Sequence, residues 1–154
     1  SIEIKDLSTP TSDFEKYTDS VHGFSLQYPN DWQVVKQTGV VTGFGPKGES
    51  YSTEGTAIYP VSVIINTKTA ADYLAQTAES RKTKVTINAK PGFKVLSYGD
   101  LDYYYIFDLK GNKSLVFNSN IAGIISDSRS QQYTDWQNIF IKMVESIEVT
   151  NPTT

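Results

Sequence analysis

The chain contains no cysteine. That excludes disulfides, thiol nucleophiles and thiolate metal sites in one step. Histidine occurs once, at His22. A serine–histidine–aspartate machine would have to use it, because no other side chain is an unperturbed base near neutral pH. The Gly-x-Ser-x-Gly elbow of many hydrolases is missing. No apolar run approaches the roughly 20 residues of a membrane-spanning helix. The 14 Lys and Arg are scattered, with no basic stripe of the kind that nucleic acid attracts. The sequence therefore predicts neither a nucleic-acid partner nor a membrane span, and no motif in it requires a cofactor.

What is present reads as one ordinary domain. There are 154 residues, 38% hydrophobic and 20% charged, enough for a real core. Net charge is −3. Serine and threonine together outnumber the 14 cations more than twofold, a hydroxyl-rich surface that points outside the cytoplasm. One glycosylation sequon, Asn112-Lys113-Ser114, falls at an expected turn. Residues 1–16 are polar and read as a linker or N-terminal arm. Residues 17–150 form the domain, and 151–154 a tail.

Phe24, Leu26 and Tyr28 alternate with polar residues, as in a half-buried strand. Pro29, Asn30 and Asp31 suit a tight turn, and Trp32 opens the next strand. Further strands are expected at 40–44, 57–66, 85–87, 94–98, 101–109 and 115–125. The expected turns are Pro91-Gly92 and Lys110–Lys113, with a bulge at Ala122-Gly123 in the last strand. A helix capped by Thr69 is expected to run to Arg81-Lys82, on apolar positions at i, i+3, i+4, i+7 and i+8. A second, broader apolar stripe from Trp136 to Ile147 predicts a helix whose capping box is Thr134–Gln137. Hairpin-like links and two separated helices make the class α+β: an antiparallel sheet packed with two or more helices.

The stretch "YTDSVHGFSLQYPNDWQV" resembles the opening of PsbP-like domains, at Tyr17, Gly23, Phe24, Tyr28, Pro29 and Trp32. The segment "FIKMVESIEV", residues 140–149, resembles their end. The resemblance implies an α/β/α sandwich, a fold shared with a Ran-binding nuclear-transport factor and some actinobacterial lipoproteins. It also implies an extracytoplasmic setting, secreted or membrane-anchored through a segment preceding this sequence. The His and acidic docking set of the photosystem members has no counterpart here, so no function carries over.

Candidate sites are few. "GFGPKG", residues 43–48, formally matches Gly-x-Gly-x-x-Gly, but Pro46 and the following "ESYSTEG" leave no helix to receive a phosphate. His22 reads as an exposed turn residue. With Asp100 and Asp102 it is the nearest approach to a metal ligand set, although a hard cation gathers more oxygens than these supply. Tyr103 and Tyr105 share one strand face, which leaves Tyr104 on the other as an outward aromatic anchor. The polar loop at 45–56 offers Lys47, Glu49, Tyr51 and Glu54 for polar contacts. These features predict a non-enzymatic binding or assembly module, whose partner is another envelope or membrane-associated protein. A carboxylate-based hydrolase and a purely structural cell-surface or lipoprotein domain stand as alternatives.

Overall fold

The computed structural model describes residues 13–53, 55–97 and 102–150. Its frame is a seven-stranded sheet in the order β3-β4-β7-β11-β10-β9-β8. These strands are β3 (Trp32–Lys36), β4 (Val41–Pro46), β7 (Val61–Asn66), β8 (Lys82–Ile87), β9 (Lys90–Leu96), β10 (Tyr103–Leu109) and β11 (Lys113–Ser119). A three-stranded sheet holds β1 (Phe14–Asp19), β2 (Phe24–Pro29) and β12 (Glu148–Val149), with β2 central. A small hairpin, β5 (Tyr51–Thr53) with β6 (Thr56–Ile58), stands apart. Every pairing is antiparallel. β1 starts at Phe14, so the last residues of the expected arm are paired strand.

Alternation along β10 divides the sheet into two unequal faces. Tyr103, Tyr105 and Phe107 point to the main core, whereas Tyr104 and Ile106 belong to a smaller cluster on the opposite side. The main face is covered by helix α3 (Gln131–Glu145) and by the three-stranded sheet. Phe140 of α3 sits against the rings of Tyr103, Tyr105 and Phe117 at 5.7, 6.0 and 5.8 Å. Trp32 is 4% exposed and meets Trp136 edge-on at 6.1 Å. The Pro29–Asp31 turn thus carries the chain from the small sheet into the large one and plants Trp32 under α3.

The opposite face has a much thinner cover. Thr69 does cap a helix there, accepting from the Asp72 amide, but α1 spans only Ala70–Tyr73. Ala70 and Leu74 are buried, while Tyr73 is 38% exposed, so the apolar stripe seats on just two anchors. A single turn is weakly cooperative. A 3-10 turn, Glu79–Arg81, follows, and pairing of Lys82 with Val95 draws the chain into β8. The expected helix through Arg81-Lys82 is therefore not formed, and among the described residues a long helix covers one side of the sheet only.

Other boundaries also differ from expectation. The β8–β9 turn is Asn88-Ala89, both at positive φ, and Pro91-Gly92 lies inside β9. The β10 ladder stops at Gly92–Phe107, so Pro91 needs no bond on that side. After β11 the chain forms a helical turn, α2 (Ile121–Ile124), and not a bulged strand. Helix α3 starts three residues ahead of the expected box, capped by the Ser130 hydroxyl, which accepts from the Tyr133 amide at 3.2 Å.

Candidate functional site

The thinly covered face holds a groove of about 520 Å³. Its floor is Ile64, Val95 and Val116. Tyr73 and Tyr104 rise from it as a T-shaped pair, 6.3 Å between centroids. Gln76, Thr77, Arg81 and Asn118 supply polar edges. The Arg81 guanidinium is held in place, donating to the carbonyls of Leu96, at 3.0 Å, and Ser97. Asn118 donates to Asn120 Oδ1 at 2.7 Å, and Asn120 in turn donates to the Tyr59 carbonyl at 2.9 Å. Burial, with the neighbouring Tyr73, pushes the Tyr104 phenol up against a smaller opposing pull from Arg81. Tyr104 is therefore a neutral hydroxyl through the physiological range.

Tyr104 does not share a surface with Lys47, Glu49 or Tyr51. Lys47 and Glu49 are exposed at the turn after β4, near the hairpin on the α3 side. The Tyr51 ring packs edge-on against Trp136 at 5.9 Å, and its hydroxyl donates to Glu49 Oε1 at 2.6 Å. Burial first, then the Glu49 carboxylate, moves the Tyr51 phenol up to about 12. This tyrosine is tied into the core edge. Glu54 lies outside the described residues, and the segment 45–56 carries the β5–β6 hairpin where an unstructured loop is expected.

The metal candidates are engaged in turns. His22 is half-buried: its Nδ1 lies 2.8 Å from Asp19 Oδ2, and its amide donates to Asp19 Oδ1 at 2.9 Å. Burial raises the Asp19 carboxyl, but the hydrogen bonds and charge of His22, with help from Lys36, outweigh it and hold the group below its usual range. The pair closes the β1–β2 turn. Asp102 Oδ1 accepts from Ser119 Oγ and from the Ala122 amide, both at 3.1 Å, and so caps α2. Burial raises its carboxyl and those two bonds partly offset the rise. Asp100 lies outside the described residues, and no cluster of three potential ligands occurs among the described ones.

Among the described residues, no acid lines the groove. Asp19 and Glu148 line one shallow depression of about 320 Å³, but each faces a base, His22 at 2.8 Å and Lys16 at 3.5 Å. The Gly-x-Gly-x-x-Gly match has a packing origin. A Cβ on Gly43 would lie 2.5 Å from the Tyr59 ring, and one on Gly45 would lie 2.9 Å from Pro60 Cδ. The two glycines let the Tyr59-Pro60 segment lie flat on β4, and no helix follows to hold a phosphate. Sequence reasoning missed Tyr73, Arg81 and Asn118, because it placed the first two on a continuous helix and gave the third no role.

An antiparallel sheet with one face under a long helix and the other under a single turn defines an α+β domain. The PsbP family profile matches residues 12–91, just over half the chain and including every residue of the opening motif. The chain belongs to the PsbP family. Domains of this family are in general non-catalytic and typically extracytoplasmic or lumenal. A solved structure from Bacteroides thetaiotaomicron VPI-5482 shares the fold, with a TM-score of 0.50 and 12% identity over 89% of this chain. The chain spans 48% of that protein's length. No curated protein matches the sequence. Among the described residues no helix is long and apolar enough to cross a membrane.

Proposed function

We propose that this chain is a non-enzymatic, extracytoplasmic binding or assembly module that takes its ligand in the Tyr73–Tyr104 groove. The observation that carries the reading is the groove's composition. An apolar floor, two half-open aromatic rings and a few fixed polar edges are the ingredients of a recognition site, and its volume falls within the range of roughly 300–1,000 Å³ for such sites. Among the described residues, no carboxylate lines it. Its occupant is a flat, partly apolar group with a polar rim, presented by a small molecule or by a side chain of another envelope or membrane-associated protein. The family's typical setting supports the compartment.

The test is a titration of isotope-labelled protein with small aromatic amides, followed by backbone amide shifts. The expected result is movement at Tyr73–Arg81, Val95–Ser97 and Tyr104 that vanishes in Tyr104→Ala. Shifts confined to Lys47–Tyr51, or unchanged in the variant, contradict the assignment.

A further inference from the structure

The chain carries −3 overall, yet one hairpin is strongly basic. Arg81, Lys82, Lys84, Lys90 and Lys94 lie on or beside β8 and β9, and no acid occurs between Glu79 and Asp100. This gathers charge that reads as scattered along the sequence. Strand β8 also ends the seven-stranded sheet, so one side of its backbone has no partner strand among the described residues. Such an edge is a template for a further strand.

The side chains of β8 define what that strand would be. Lys82 and Lys84 stand opposite Val95 and Phe93, on the thinly covered face. Val85 and Ile87 pack partly against the main core on the other face. Lys84 is exposed and has no ion pair among the described residues, whereas Lys82 is shared between Glu79, at 3.3 Å, and the Leu74 carbonyl. Directly opposed residues of paired strands meet side by side, so opposite charges there attract and like charges repel. A second copy of this edge would set lysines near lysines, which disfavours self-pairing.

We propose that β8 is an interaction edge that adds an acidic strand of a partner protein, with acids opposite Lys82 and Lys84 and apolar residues opposite Val85 and Ile87. Run antiparallel, the matching sequence reads apolar-x-apolar-acid-x-acid. This surface borders the groove but rests on separate observations, an edge without a partner strand among the described residues and its charge.

A fluorescein-labelled peptide with the core Val-Thr-Val-Glu-Thr-Glu tests it on the whole chain. Expected are saturable binding that weakens with salt, and new exchange protection at amides within Lys82–Ile87. Lys84→Glu, checked for an unchanged melting curve, is expected to weaken binding about tenfold. A peptide of the same composition with its glutamates moved by one position places them on the wrong face, and is expected to bind far less. Equal binding of the shifted peptide reduces the effect to bulk charge and overturns the proposal. So does indifference to Lys84→Glu, or no peptide binding at all. Anionic vesicles bound where the peptide is not would assign the patch to a lipid surface and overturn it equally.

Discussion

Trp32 and Asp102 show how differently two side chains anchor this fold. Trp32 is buried edge-on to Trp136, and both indoles belong to the main core. Trp32→Ala is expected to cost about 3–5 kcal/mol, in line with other large-to-small core changes. Chemical denaturation checks this, and a loss under about 1 kcal/mol would place the ring outside the core. Asp102 acts through hydrogen bonds, holding Ala122 and Ser119. Its carboxyl is raised by burial despite those bonds, so the folded chain holds this proton more tightly than the unfolded chain does. The contribution to stability is therefore largest below the unfolded value and falls as pH rises through the raised one. Asp102→Asn keeps an acceptor oxygen and should remove that downward slope in a series of melts from about pH 4 to 7. Asp102→Ala loses the cap and should cost about 1–2 kcal/mol. A slope unchanged in the Asn variant would show that another group titrates.

At the scale of elements, helix α3 and the β8–β9 turn carry the clearest expectations. The Ser130 hydroxyl caps α3, so Ser130→Ala should cost about 1 kcal/mol. Thr134 lies in the first turns of the helix, and Thr134→Ala should stay within about 0.5 kcal/mol. The reverse order in denaturation would restore the box that the sequence suggests. Ala89 sits at φ +66, beside Asn88 at φ +51. Such two-residue turns favour Asn-Gly, and Ala89→Gly should stabilise by about 0.5–1 kcal/mol. A destabilised variant would mean that the Ala89 methyl group makes a contact outweighing the strain. These cases mark where sequence is readable. Strict alternation at Phe24–Tyr28 and the broad stripe at Trp136–Ile147 each encode an element, because local periodicity matches the face that is buried. Helix boundaries are less legible: a Thr-x-x-Gln pattern inside a helix looks like its start. The turn at Asn88-Ala89 was hidden because Pro91-Gly92 is the louder signal. The α2 turn depends on a carboxylate 20 residues away in sequence, which no local pattern reveals.

For the whole molecule, the two faces of the large sheet divide the roles. One is sealed by α3 and the small sheet; among the described residues the other is left partly open, because α1 is a single turn. The outward placement of Tyr104 was legible from strand alternation. Its partners Tyr73 and Arg81 were not, since their position depends on where the helix breaks. The loop residues and Tyr104 looked like one set of contacts only while the strand order was unknown. The open face is the proposed recognition surface. Soaking crystals of the protein with a library of small aromatic and amide fragments tests it most directly. Fragment density is expected between Tyr73 and Tyr104, over Ile64 and Val116. Fragments gathered at the Lys47–Tyr51 segment, with the Tyr73–Tyr104 groove empty, would contradict it.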